Sequence, residues 1–348
     1  MDSAPVDSAA PCGAGSIVLY STQLAGRGFS NWPLGTREMH GTLVGIVGPT
    51  ATGKTAVGIE LAKRLNGEII SADSMAIYKG MDIGTAKPTA EERAAVRFHL
   101  IDVVQPDEEF SVVEFKRLAG EAIADILSRG KVPLLVGGTG LYVKAVTGGL
   151  NIPAVSPDRE LRERLRAEAA EFGGERLLER LRAVDPITAE RLHPKDLKRI
   201  IRALEVHMLT GLPISHFHKI AGTTEAACHV ALFGLSVSRP ALYENIEDRV
   251  DRQISASLVE EVRGLLDKGY SPNLPSMKGL GYKQIVGYLL GDYDLKTAIC
   301  LLKRDTRRFA KRQLTWFRAD PRICWIDVER RSVCDVAAEI VSLLRTRA

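Results

Sequence analysis

Short apolar runs of strand length alternate with helically spaced stretches through the first part of the chain. GTLVGIVG (41–48) leads through a Gly-rich turn into TAVGIELAKRL, where Val57, Leu61 and Leu65 recur every four residues; this predicts strand, loop and helix. GEIISADS (67–74) predicts a second buried strand ending at Asp73, and FHLIDVV (98–104) a third. SVVEFKRLAGEAIADILSRG predicts a helix opened by Ser111, with Glu114 three residues on as a capping box, and closed by Gly130. KVPLLVGGTG (131–140) predicts another buried strand running into a second Gly-rich loop. Apolar strands alternating with helices imply a parallel sheet covered on both faces.

Near residue 150 the texture changes. Leu161, Leu165 and Ala169 fall at helical spacing, Gly173–Gly174 interrupts them, and Leu177, Leu178 and Leu181 follow, which predicts a helical hairpin with a charged outer face. A further helix is expected over 195–210, stopped by Gly211 with Pro213 beyond. HVALFGLSV (229–237) returns to a strand. The expected organisation is an α/β core over 39–149, a helical insertion over 150–222, and a return to the core with basic C-terminal helices over 223–348. Residues 1–38 are rich in Ser, Ala, Gly and Pro, lack sustained periodicity, and read as a disordered extension rather than a signal peptide.

Composition adds mainly exclusions. With 348 residues, 45% apolar and 26% charged, the chain is long enough for two domains of ordinary globular character. No apolar run approaches the roughly 18 residues of a membrane span. The five cysteines form no CxxC pair, so they read as reduced thiols in a cytoplasmic protein, with neither disulfides nor a zinc site. A net charge of +4 is too small to indicate nucleic acid; placement matters more.

GPTATGKT fills every fixed position of G-x-x-x-x-G-K-[ST] over Gly48, Pro49, Thr50, Ala51, Thr52, Gly53, Lys54 and Thr55. Between a strand and a helix, such a loop turns backbone amides inward around a phosphate, adds the helix's positive end and the Lys54 charge, and lets Thr55 hold Mg²⁺. The fold class is therefore a P-loop NTPase-like parallel sheet carrying a helical insertion and a helical C-terminal part. A plain Gly-rich turn would not need Lys54 and Thr55. Asp73 closes the next strand on the ligand-facing side of such a sheet, where it could bind magnesium through water or accept a proton; the bland alternative is a turn-forming Asp-Ser pair. VGGTGLY (136–142) ends another strand on that side and offers Thr139, although Gly-Gly after a strand is usually only a tight turn.

Cations concentrate in two places. Lys195, Lys198, Arg199 and Arg202 share one side of a helix. From 303 to 318, Lys303, Arg304, Arg307, Arg308, Lys311, Arg312 and Arg318 face only one acid, Asp305, while Ile299, Leu302, Phe309 and Phe317 can line the buried side. Solvated faces normally mix both signs, so a polyanion such as RNA or DNA fits this run better. KGLGYKQ (278–284) adds lysines, a tyrosine and flexible backbone suited to single-stranded nucleotides. Arg249 sits among acids, as in an ordinary helix ion pair.

Over about 41–325 the chain resembles the tRNA dimethylallyltransferase family. GPTATGKT resembles the family's GPTASGKT; DSMAIYKGMDIGTAKP (73–88) is far more specific, and FHLIDVVQPDEEFSVVEF, VGGTGLY, RIIRALEV (199–206), KGLGYKQ and KRQLTWFR (311–318) follow in family order. Ala76 departs from the Gln of many members, and the zinc finger of eukaryotic relatives is missing. The resemblance implies a monomer that transfers the dimethylallyl group of dimethylallyl diphosphate to the N6 amine of adenine 37 in tRNA, beside the anticodon. It implies that the loop at 48–55 holds the diphosphate with Mg²⁺ at Thr55. Asp73 is then the general base, with Thr50 and Arg249 also catalytic. The implied tRNA contacts are Asp73, Ser74, Met75, Ala76, Thr139, Leu161, Lys198, Arg199, Arg202, Lys278, Gly279, Tyr282, Lys283, Lys311, Arg312, Gln313, Thr315, Trp316 and Arg318.

Three rivals share parts of this pattern. A small-molecule kinase would leave the basic helices idle. A GTPase-type switch needs a base-reading N-K-x-D, which is missing. Prenyl transfer to free AMP would be indifferent to the cations of 311–318.

Overall fold

A computed structural model describes residues 41–148, 153, 155, 157–220 and 229–347, so the expected extension at 1–38 lies outside the described residues. Its elements run β1 (Thr42–Val47), α1 (Lys54–Leu65), β2 (Gly67–Ser71), α2 (Ala90–Ala95), β3 (Phe98–His99), α3 (Val112–Ser128), β4 (Val132–Gly137) and α4 (Gly140–Val146). Then come α5 (Arg159–Phe172), α6 (Gly174–Val184), α7 (Pro186–Ala189), α8 (Leu197–Thr210) and α9 (Ile214–Ile220). The chain closes with β5 (His229–Ser236), α10 (Arg239–Ser255), α11 (Leu258–Asp267), α12 (Tyr282–Leu289), α13 (Leu295–Arg318), β6 (Ile323–Asp327) and α14 (Val333–Arg347).

Two compact units result, one of Met1–Val143 with Ala227–Ala348, the other of Lys144–Ala226. In the first, six strands form one sheet in the order β3-β2-β4-β1-β5-β6, parallel throughout. Parallel strands must be covered on both faces, and the central ones are. Val44, Ile46, Leu134 and Phe233 pack with Val57, Leu61 and Leu65 of α1 and with Val336 and Ile340 of α14, while Leu43, Ile70 and Leu135 are fully buried. This order places three strand-to-helix connections side by side at the carboxyl edge: those after β2, β4 and β1. The expected third strand is cut to two residues, because Leu100 and Asp102 adopt positive φ and turn the backbone aside. That bend lets Asp102 pair with Lys87 and Arg93. A second core joins Ile77, Met81 and Tyr282 with buried residues of α11, α12 and α13.

The other unit is built on the anticipated leucines. Leu161, Leu165, Leu177, Leu178 and Leu181 form its core with Ile200, Ile201 and Leu204 of α8. Asp158 caps α5 by accepting the Leu161 N–H at 2.9 Å, and Gly173, at φ 85°, makes the break between α5 and α6. Gly211 ends α8 at φ 73°, a left-handed position where a Cβ would be strained. Glu205 is fully buried, and it is balanced there by Arg162 and Arg202.

Candidate active site

The loop after β1 is shaped as its sequence requires. Ala51 and Gly53 take positive φ, and Thr52 Oγ1 donates to Pro49 O at 2.9 Å, closing the turn. Lys54 opens α1, and its Nζ donates to the same carbonyl at 2.6 Å. Lys54 is partly open as a residue, yet its ammonium end is enclosed. Burial and the nearby Arg249 charge pull its pKa down from 10.5 to about 7, opposed by the field of Asp73. Arg249, on α10, is also held below its usual value by burial, and again Asp73 favours the charge. Its Nη2 donates to Thr85 O at 3.3 Å. Neither cation forms an ion pair with a carboxylate among the described residues. Two enclosed positive charges beside a nest of backbone amides make a strong anion site.

Asp73 follows β2. Its Oδ1 accepts the Met75 N–H at 2.8 Å, which fixes the carboxylate, and the second oxygen accepts no hydrogen bond from the described residues. Next to it, Thr139 Oγ1 accepts the Ser74 N–H at 3.0 Å, and the Thr139 N–H donates to Ala72 O at 3.0 Å. The loops after β2 and β4 are thus stitched together. The loops after β4 and β1 are joined by Gln313 of α13, whose amide accepts from Thr50 N and donates to Gly138 O, both at 2.8 Å. One continuous chain of contacts runs from Asp73 through Thr139 and Gln313 to the phosphate loop.

A cavity of about 880 Å³ opens beside that loop, lined by Ala51 and Gly53 and, across from them, by Asn245, Arg249 and Gln253. Its volume suits a small ligand. Asp73 is not part of its lining. The segment 82–85 that borders it is clamped from behind. Glu261 accepts the N–H groups of Asp82, Ile83 and Gly84 and the Tyr282 hydroxyl. Gln253 donates to the Ile83 and Gly84 carbonyls.

Four residues expected to touch tRNA have buried side chains. Ala76 and Leu161 are core residues, Tyr282 is wholly enclosed against Glu261, and Gln313 has its polar ends engaged as above. Lys198, Arg199, Lys278 and Lys283 are exposed, while Arg202 is committed to buried Glu205. The run in α13 divides in two. Lys303 pairs with Asp251 and Arg307 with Glu247, both from α10, while Arg304 and Arg308 reach Asp305. Lys311, Arg312 and Arg318 are exposed, without a carboxylate partner among the described residues, beside exposed Thr315 and Trp316.

No group of three or more His, Cys, Asp or Glu side chains able to hold a metal occurs among the described residues. The Thr55 hydroxyl at the phosphate loop, with no hydrogen bond among the described residues, nevertheless fits Mg²⁺ of the kind held mostly by substrate phosphate and water.

Comparison with known proteins matches the chain to the IPP transferase family over residues 76–320 and to the isopentenyl transferase family over residues 41–106. The chain belongs to the IPP transferase family. Among relatives, the tRNA dimethylallyltransferase of Desulforudis audaxviator is 57% identical, covering 82% of this chain and 92% of that protein. The one from Pelotomaculum thermopropionicum is 48% identical, covering 86% and 95%. The tRNA isopentenylpyrophosphate transferase structure from Bacillus halodurans shares 43% identity at a TM-score of 0.65, covering 88% of this chain and 96% of that one. A eukaryotic dimethylallyltransferase acting on tRNA shares 26% at 0.73, covering 87% and 77%. Within this IPP transferase the residues that hold the loops in place do not stand out in the sequence. Glu261, Gln253 and Asn245, which donates to Ala51 O at 3.2 Å, were not singled out from the sequence. They lie on helices whose residues look like solvated faces. Among the described residues no helix is long and apolar enough to cross a membrane.

Proposed function

We propose that this protein transfers the dimethylallyl group of dimethylallyl diphosphate to the N6 amine of adenine 37 in tRNA and releases diphosphate. The observation that carries the reading is the pair of enclosed cations, Lys54 and Arg249, at the phosphate loop, neither in an ion pair among the described residues, one strand connection away from Thr139 and two from Asp73. Diphosphate is the leaving group, and its charge grows as the allylic C–O bond breaks. The loop amides, Lys54 and Arg249 are already in place where that charge appears. Magnesium, held by Thr55 and diphosphate oxygens, would add further neutralisation of the leaving group.

The adenine amine is a weak nucleophile because its lone pair is shared with the ring. A carboxylate oxygen hydrogen-bonded to it raises its electron density and takes the proton as the new C–N bond forms. Asp73 supplies that oxygen, oriented by the Met75 N–H. Thr139 and Thr50 line the path between the two ends of the reaction. The base is extruded from the anticodon loop into a channel, as enzymes acting on base atoms require. Lys311, Arg312 and Arg318 hold the phosphates of the anticodon arm, with Trp316 as a stacking surface. Exposed Lys198 and Arg199 on the helical unit add contacts to the stem.

The test is incubation with dimethylallyl diphosphate and unmodified tRNA, followed by mass spectrometry of the nucleosides. Prenylated adenosine is expected. ATP hydrolysis without prenylation would support a kinase instead. Asp73→Asn should lower transfer by about 10²–10⁴-fold with tRNA binding intact; equal loss of both would make Asp73 structural.

A further inference from the structure

Gln313 sits on the buried side of α13, 8% exposed. Its two amide bonds, to Thr50 N and Gly138 O, join segments 263 and 175 residues away in sequence. Both bonds fix the amide's orientation: a backbone N–H accepts no proton, and a carbonyl donates none. The surroundings are shaped to let this side chain in. A Cβ at Gly138 would stand 2.3 Å from Gln313 Nε2, so only glycine admits the carboxamide there. One turn further along α13, Trp316 lies over Gly140 in the same way, at 2.1 Å from where a Cβ would be. Both interruptions of the second Gly-rich loop therefore receive α13.

A tRNA contact needs free donors or acceptors at the surface. Gln313 has its carbonyl and one amide hydrogen committed to backbone, and its side chain is enclosed. We infer that Gln313 is a positioning residue for the diphosphate site: its carboxamide ties the phosphate loop at Thr50 to the Thr139 loop at Gly138 and sets the spacing between the leaving-group cradle and the Asp73 side. The inference rests on the proposed reading of the loop as a diphosphate site, and it departs from the family-based expectation that Gln313 touches tRNA. Because Pro49 carries no N–H, the Thr50 N–H is the first backbone donor after Gly48 in the loop. Holding it on Gln313 settles which loop amides remain turned toward a bound anion. A displacement of order 1 Å at such a site costs about 10²-fold in turnover when reacting groups must be held in register.

The experiment compares wild type with Gln313→Glu. Glutamate keeps the size and can still accept from Thr50, but it cannot donate to Gly138 O. Inorganic pyrophosphate binding is measured by calorimetry, and binding of an unmodified anticodon stem-loop RNA by fluorescence anisotropy. The expected result is pyrophosphate affinity weaker by about tenfold or more with RNA affinity within about twofold of wild type, together with a raised KM for dimethylallyl diphosphate. Gly138→Ala, which drives a methyl group into the carboxamide from the other side, should reproduce that split. Retained RNA binding reports that each variant is folded; should one fail to fold, the other carries the test. RNA affinity falling in step with pyrophosphate affinity, or pyrophosphate affinity unchanged in both variants, overturns the inference. A wild-type protein that binds pyrophosphate but prenylates no tRNA would sink the functional reading, and the pyrophosphate comparison would still decide the role of Gln313.

Discussion

Replacing Arg249 by methionine should make the free protein more stable and the diphosphate site worse. Arg249 is enclosed, its charge disfavoured by burial, and among the described residues its guanidinium makes one hydrogen bond, to Thr85 O at 3.3 Å. It also helps depress Lys54 from 10.5 to about 7. A depression of that size corresponds to roughly 5 kcal/mol at most. Burial is its largest cause and Lys54 is partly open, so relief from losing Arg249 is on the order of 1 kcal/mol. Methionine keeps the apolar stem packed and removes the desolvated guanidinium, a further gain of about 1–2 kcal/mol. Loss of the Thr85 contact subtracts about 1 kcal/mol. The net is a gain of about 1–2 kcal/mol, or roughly 1–3 °C in Tm for a chain of this size. Pyrophosphate affinity should fall by about 10²-fold, because a charged donor is gone from a buried anion site. Thermal melts with and without pyrophosphate read both quantities at once. A variant that melts lower than wild type yet keeps its pyrophosphate affinity would show that Arg249 supports the fold, and the proposed anion site would lose its main argument.

Three further outcomes follow from the same structure. Lys54 is pulled down to about 7 in the free protein, and a bound anion restores the charge, so binding takes up a proton. Pyrophosphate affinity should therefore weaken by about tenfold per pH unit above 7, and Lys54→Arg should flatten that part of the profile in parallel titrations. Glu68 is buried at the start of β2 among Arg129, Lys131 and His99, which hold its carboxyl well below the usual range. Its stabilisation is present above the unfolded carboxylate value and is lost as pH falls below it. Glu68→Gln should cost about 3–5 kcal/mol in urea unfolding at pH 7, with the gap to wild type closing in acid; a constant gap would refute the charge account. Neutralising Lys311, Arg312 and Arg318 together should reduce the salt slope of tRNA binding by about 2–3, whereas Lys303→Gln with Arg307→Gln, whose charges already face α10 acids, should leave it nearly unchanged.

What the sequence made legible is what depends on neighbours in the chain. The phosphate loop, the strands at β1, β2 and β4, and the leucines of α5 and α6 are local patterns, and they stand where the periodicity put them. The third strand did not, because Leu100 and Asp102 turn it off the sheet to bring Asp102 to Lys87 and Arg93. The basic run of α13 misled for a related reason. Its charge looked unbalanced within 303–318, but Glu247 and Asp251 arrive from α10, more than fifty residues earlier. The buried stripe of that helix was read only in part: Leu302 and Phe317 lie on it, Ile299 and Phe309 are half-buried at its side, and Ala298, Thr306, Ala310 and Gln313 complete it. Two polar residues on that stripe interrupt it for any reading by hydrophobicity. One of them, Gln313, is polar there because it meets backbone groups of two distant loops, and a buried carboxamide is tolerated only when both ends are met. The polar residue that breaks the helical pattern of α13 is thus the one that ties the helix to the phosphate loop, which is where local sequence rules are expected to give way to the demands of a site.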